Sequence, residues 1–433
     1  MNRVVVTGIG SVSPLGNSFD RAWSAMKAGR SGISQMSGTE ASGLPCRVAG
    51  QLKDFDEAKR FSAKEMRRFD RFALYAIAAA VMALEDAGLL EGYESQAASY
   101  KSKEKNFSDN SPLVAPHSSL NSAGVIIGSS RGGISTIEKA LSLSRAQNPR
   151  PKQCRLSPYL MPSTTIGMAA SYVAQKFGIR GHCLGISNAC ASGASAIGEA
   201  FRTIKSGYSG LIVAGGAEAP ICRFCIEGYG ASGALTSRTG ETPRPFDRDR
   251  DGFVLSEGAC LLVLEDLENA KERGASIYGE VVGYGNTSDA FHMTKPHPEG
   301  EAEAIRSALK DADLSTDDVD YVNAHGTGTK IGDAAESGAI REAFGKKGST
   351  VPVSAIKSMT GHMLAASGAF EIASTLKSIC EGIIPPTINL DNKDAACDID
   401  VVTEKTRADI DIAVSNSFGF GGVNAVVVLK KYR

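Results

Sequence analysis

Residues 186–195 read ISNACASGAS, with one thiol, Cys190, among side chains that are nearly all small. Upstream, Cys183–Ile186 has the character of a strand's end. Downstream, Ala194, Ile197, Phe201 and Ile204 recur at helical spacing, and Ser206-Gly207 stops the run. The stretch predicts a strand-to-helix turn, the repeating unit of an α/β fold, with Cys190 near the helix N-terminus. Unpaired N–H groups and the positive end of the helix dipole favour an anion there. A thiol so placed is expected to ionise below its usual pKa of about 8.5. Small neighbours leave room for a substrate, and the same N–H groups suit an oxyanion. A packing cysteine in a tight turn explains the stretch equally well, so the decision rests on the rest of the chain.

Outward from this turn, apolar β-branched runs alternate with helical patterns. Strands are predicted at Val4–Thr7, Val125–Gly128, Leu211–Ala214, Cys260–Leu264, Tyr321–Ala324, Val351–Ser354 and Ile412–Ser415. Leu74, Ile77, Ala78, Val81 and Leu84 mark one buried helix face. Continuous apolar strands between helices predict a mostly parallel, helix-covered sheet. In TGIGSVSPLG, Gly8-x-Gly10 lacks the third glycine of a dinucleotide-binding turn and meets Pro14, so a tight turn after the first strand is expected. Residues 94–122 are rich in Ser, Lys and Asn without apolar periodicity, and read as an inserted surface loop in which His117 is solvated.

The 433 residues are 42% hydrophobic and 22% charged, with net charge −1. That balance argues against a nucleic-acid binder held by bulk electrostatics. No apolar run reaches the roughly 18–20 residues of a membrane span, and Met1 leads almost at once into Val4-Val5-Val6 rather than a signal peptide. A soluble, cytoplasmic protein without nucleic-acid or membrane partners is expected. The nine cysteines are odd in number and scattered, which disfavours a disulfide framework. Cys222 and Cys225 form a lone CxxC without the further ligands of a zinc site, so no metal is expected.

Two of the six histidines lie on loops leaving predicted strands, flanked by Gly and Thr: His325 in YVNAHGTGTKIGD (321–333) and His362 in SAIKSMTGHML (354–364). Such loops are where α/β folds place chemistry. A nucleophilic cysteine with two histidines points to acyl transfer. The glycine-rich NSFGFGG (416–422) offers further N–H groups for an oxyanion.

ACASG around Cys190, NAHGTGT around His325, KSMTGH around Lys357 and His362, and NSFGFGG together resemble the β-ketoacyl-acyl carrier protein synthases. The likeness is to the elongating enzymes of the second type in bacterial fatty acid synthesis, and it spans the chain except residues 94–122. The resemblance implies a thiolase-like fold of two similar α/β halves, 1–270 and 271–433, stacked in five layers. It implies a homodimer, or a heterodimer with a chain-length partner. The implied reaction is a decarboxylating condensation of malonyl-acyl carrier protein with an acyl group on Cys190. No tightly bound cofactor is implied, the phosphopantetheine arm being supplied by the carrier protein. His325 and His362 would stabilise the enolate, where thiolases use a second cysteine with one histidine. Cys190 and Phe418 would supply the oxyanion N–H groups, with Phe418 also the gate. Lys357 and Glu371 would orient the site, and Thr327 and Thr329 would bind the pantetheine arm. Arg131, Leu160 and Tyr229 would line the acyl pocket. Lys64, Arg67, Arg68 and Arg71 would dock the acidic carrier protein. Arg131 stands where the family usually has a small apolar residue, which bears on the acyl substrate and leaves a polyketide or polyene ketosynthase as the alternative. A non-catalytic partner subunit is the second alternative, and Cys190 argues against it.

Overall fold

The computed structural model describes residues 1–36, 43–90, 120–145, 156–240 and 242–433. Most of the 94–122 insertion, with His117, lies outside them. Eleven strands form the main sheet: β1 (Val4–Val12), β2 (Gly124–Gly128), β3 (Cys183–Ile186), β4 (Leu211–Glu218), β5 (Gly258–Asp266), β6 (Gly279–Ser288), β7 (Tyr321–Asn323), β8 (Pro352–Ser354), β9 (Asp400–Val401), β10 (Ile412–Gly419) and β11 (Val423–Lys430). Their order is β9-β8-β7-β10-β11-β6-β1-β5-β4-β2-β3.

That order contains one pattern twice. From β1, the pairings to β5 and then β4 are antiparallel, and those to β2 and then β3 are parallel. From β6, the pairings to β11 and β10 are antiparallel, and those to β7 and β8 are parallel. A short antiparallel contact of Val4–Val6 with Gly279–Val281 joins the two sets. The sheet is therefore mixed, not mostly parallel. Its central antiparallel strands are buried on both faces, so they carry the continuous apolar runs usual in parallel strands.

Helices cover the sheet in layers. Helices α1 (Arg71–Asp86) and α4 (Pro298–Asp311) lie outside the two strand sets, while α2 (Ser192–Lys205) and α6 (Ala365–Glu381) share the apolar core between them. The shorter α3 (Arg223–Ala231) follows β4, and α5 (Lys330–Phe344) follows β7.

Gly8 and Gly10 lie inside β1 rather than in a turn after it. A β-carbon on either would run into the backbone of α1, at the carbonyls of Ala83 and Ala79. Gly283 and Gly285 in β6 meet the carbonyls of Ala308 and Ala304 in α4 in the same way. Both strand sets thus need glycine for one outer helix to lie flat. Gly10→Val is expected to destabilise by about 1–3 kcal/mol through forced backbone movement, read as a lower denaturant midpoint with unchanged slope.

Candidate active site

The strand-to-helix turn forms as expected, with one refinement. A single 3-10 turn, Ala189–Ala191, stands between β3 and α2 and carries Cys190. Ala189 takes φ 47°, a strained conformation for alanine. It is held because the Ser192 hydroxyl accepts the Asn188 N–H at 2.9 Å and donates to the Ala189 carbonyl at 2.6 Å. A β-carbon on Gly193 would strike the Ala365 carbonyl, so the turn presses directly on the start of α6.

His325 follows β7 on a loop tied down by two buried carboxylates. Glu336 accepts the N–H groups of His325 and Gly326, each at 2.7 Å, and Asp333 accepts that of Gly328 at 3.0 Å. Both carboxylates come from α5, whose N-cap Thr329 accepts the Gly332 N–H. Lys357 opens a one-turn helix after β8 and is 1% exposed. Its Nζ lies 2.5 Å from Glu371 Oε1, 2.7 Å from the His325 carbonyl and 3.1 Å from His325 Nδ1. An ammonium only donates, so Nδ1 accepts and the neutral ring carries its proton on Nε2. His362 sets Nδ1 3.2 Å from the Ser367 hydroxyl, and its buried Nε2 has no protein partner. The two imidazoles stand edge to face with ring centroids 5.4 Å apart.

Cys190, His325 and His362 line one cavity of about 510 Å³, together with Tyr229, Phe253, Thr327, Thr329, Phe418 and Phe420. Burial first, and then the nearby Lys357 charge, hold both histidines well below the usual imidazole range. They are neutral at physiological pH. Glu371 is pushed up to about 7 by burial, against the pull of Lys357.

Three expectations are corrected. Burial pushes the Cys190 thiol up to about 11, outweighing the lowering by Lys357, a Phe420 backbone hydrogen bond and Arg131. The resting sulfur is thus a thiol rather than an ionised group at a helix mouth. The backbone group on that sulfur belongs to Phe420, not Phe418. Phe418 is 8% exposed at the end of β10 with its ring 6.0 Å from that of His325, whereas Phe420 is the more open ring, 6.4 Å from Tyr229. The sequence signal was present, since FGF holds two phenylalanines, but it does not say which one passes the strand's end. Of the three acyl-pocket residues, only Tyr229 lines the cavity. Arg131 reaches it through Tyr229, donating from Nε to the phenol at 2.9 Å, and Leu160 lies outside the lining.

Of the basic cluster, Lys64 and Arg67 are exposed, Arg68 donates to the Tyr159 hydroxyl at 2.8 Å, and Arg71 pairs with Glu57 and Glu257. Ser367 gave no signal in the sequence. Nor did Glu218, which gathers the Ser130 and Arg131 N–H groups behind the cavity. Among the described residues no cluster of three or more His, Cys, Asp or Glu is arranged to hold a metal, and no helix is long and apolar enough to cross a membrane.

Two expected outcomes follow from the electrostatics. Lys357→Met leaves Glu371 buried without its cation and should destabilise the fold by about 3–5 kcal/mol, with Lys357→Met/Glu371→Leu recovering much of the loss in the same denaturant series. A thiol with a raised pKa gains thiolate about tenfold per pH unit below that pKa. Iodoacetamide alkylation of Cys190 should therefore climb from pH 7 to pH 9 without levelling. A plateau near neutral pH would show a depressed pKa instead.

The family description "Beta-ketoacyl synthase, N-terminal domain" matches residues 1–270, and "Beta-ketoacyl synthase, C-terminal domain" matches residues 278–391. The chain is 40% identical to 3-oxoacyl-[acyl-carrier-protein] synthase 2 of Synechocystis, covering 100% of this chain and 98% of the relative. It is 42% identical to the protein of the same name from Vibrio harveyi, over 99% and 98% of the two chains. Among solved structures, a β-ketoacyl synthase from Burkholderia phymatum superposes over the whole of both chains with TM-score 0.88 and 34% identity. A type II polyketide ketosynthase solved with its acyl-carrier protein and a hexaketide does so with TM-score 0.86 and 32% identity.

Proposed function

Because this chain belongs to the β-ketoacyl synthase family, we propose that it condenses an acyl group held on Cys190 with malonyl-acyl carrier protein, giving 3-oxoacyl-acyl carrier protein in fatty acid chain elongation. The observation that carries the reading is the meeting of Cys190, His325 and His362 in one cavity. The fold is thiolase-like, with 1–270 and 271–433 as its two halves.

In the first step Cys190 Sγ attacks the acyl thioester of a carrier-bound chain. A carbon–sulfur bond forms to Cys190, the bond to pantetheine breaks, and the thiol proton ends on the departing pantetheine sulfur. The oxyanion formed on the way rests on the N–H groups of Cys190 and Phe420. In the second step malonyl-carrier protein occupies the cavity and loses carbon dioxide. The enolate oxygen accepts from Nε2–H of His325, whose tautomer Lys357 fixes, and from Nε2–H of His362, where the Ser367 hydroxyl donates to Nδ1. In the third step the enolate carbon attacks the acyl group on Cys190. The sulfur leaves and regains a proton, and the chain is two carbons longer.

Phosphopantetheine arrives on the carrier protein, with the Thr327 and Thr329 hydroxyls, 3.1 Å apart, at its path. Lys64, Arg67 and Arg68 form the docking patch, steering an acidic partner by opposite charge. Arg71 contributes less, being spent on Glu57 and Glu257. A dimer is supported by the exposed edge strand β3, where Leu184 is 42% exposed, and by the exposed Met161 and Leu141. Sedimentation velocity tests that assembly, a monomer at micromolar concentration being the contrary result.

Arg131 favours a second reading of the acyl chain rather than of the reaction. A guanidinium beside the cavity wall suits oxygenated chains, as in a polyketide or polyene pathway with a chain-length partner. Mass spectrometry of the group trapped on Cys190 from mixed acyl-carrier proteins separates the two. Saturated medium or long chains are expected, and exclusive loading of polyketide or unsaturated chains would overturn fatty acid elongation. The histidine roles separate by partial reaction. His362→Ala should still acylate Cys190 but decarboxylate malonyl-carrier protein about 10²–10³-fold more slowly, whereas Cys190→Ala should form no acyl-enzyme.

A further inference from the structure

Cys222 and Cys225 belong to none of these steps. Cys222 is the N-cap of α3, and Cys225 is the third residue of that helix. Cys222 is partly exposed and Cys225 is 5% exposed. The two side chains interact directly. An N-cap and the residue three further on have α-carbons about 5–6 Å apart, inside the range a disulfide spans without backbone movement. We propose that Cys222 and Cys225 form a redox-active dithiol, exchanging with disulfides through the more accessible Cys222.

Other arrangements fit less well. A metal would need further ligands, and among the described residues no such group gathers. Two inert buried thiols would not differ in reach as these do. Cys222 is half-buried at the helix mouth, whereas Cys225 is buried in the apolar cluster one turn in. That asymmetry is the division of labour in a CxxC dithiol, an accessible attacking sulfur and a buried resolving one.

The exchange runs in two balanced steps. Cys222 thiolate attacks one sulfur of a disulfide RSSR, giving Cys222–S–S–R and releasing RS⁻. Cys225 then loses its proton and attacks Cys222 Sγ, closing the ring bond and releasing the second RS⁻. Two electrons pass from the protein to the external disulfide, and the two thiol protons end on the released thiolates.

The dithiol is coupled to the cavity by packing. Cys225 lies in one apolar cluster with Tyr229, Leu235 and Phe253, against which Cys190 and Cys222 also pack. Tyr229 sits one turn beyond Cys225 in α3. Its ring meets Phe253 edge to face at 5.5 Å, and Phe253 meets His362 in the same way at 5.2 Å. Drawing Cys225 sulfur to Cys222 moves it out of the cluster that backs the nucleophile.

The test uses the full chain carrying Cys190→Ala, so that the nucleophile does not confuse the readout, with the unsubstituted protein beside it. Each is equilibrated with mixtures of reduced and oxidised glutathione, quenched in acid, alkylated and mapped by mass spectrometry. Trypsin cuts after Arg223, so the peptides holding Cys222 and Cys225 separate when reduced and stay joined when bridged. Joined peptides lacking two hydrogens, returned to separate alkylated peptides by dithiothreitol, are the expected result. With Cys225→Ala added, glutathione should stall on Cys222. Glutathione on the exposed Cys183 and Cys380 while Cys222 and Cys225 remain fully alkylatable would overturn the proposal, in either protein.

Discussion

The site depends on one buried cation. The Lys357 ammonium, almost without solvent, is held at the meeting of three elements: the turn after β8, the loop after β7 and helix α6. A charge so placed is tolerable only because Glu371 and two acceptors of His325 take up its protons. In return it orders the chemistry. It fixes the His325 tautomer, adds to the burial that keeps both imidazoles neutral and opposes the burial that raises the Cys190 thiol. The doubled strand pattern supplies the frame, because the turn leading into α2 carries the sulfur and α6 the carboxylate, and the two helices share one core layer.

Around that cation the site is held mostly by polar clamps on backbone. Glu336 and Asp333 fix the loop after β7, the Ser192 hydroxyl fixes the turn at Ala189, and Glu218 fixes the segment before Arg131. Each is a buried group with backbone N–H or carbonyl partners, the pattern expected where strained loops must hold functional atoms to a fraction of an ångström. The cavity wall of Tyr229, Phe253 and His362 is by contrast a chain of edge-to-face rings running from α3 to the imidazole.

Much of this was legible in the sequence, and what was not has physical causes. Element type was readable because apolar runs and helical periodicity survive in one dimension. The direction of β5 was not, because a strand buried on both faces loses the alternation that marks antiparallel pairing. Strand β6 is hidden because Gly279, Gly283 and Gly285 interrupt its apolar run, although Gly283 and Gly285 are there to admit α4. The three chemical residues were readable from their loops, and their meeting was not. The thiol's acidity was misjudged because the dipole of a helix end is visible in sequence, whereas the desolvation that outweighs it belongs to the packed fold. The shift from Phe418 to Phe420 turns on where β10 ends, which two similar residues in one motif do not reveal.

The central claim is a set of proton positions, and neutron diffraction from deuterium-exchanged crystals near pH 7 reads them together. The account predicts deuterium on Nε2 but not Nδ1 of His325, three deuterons on Lys357 Nζ, and one on Cys190 Sγ. Deuterium on both nitrogens of His325, or a neutral Lys357, would contradict it.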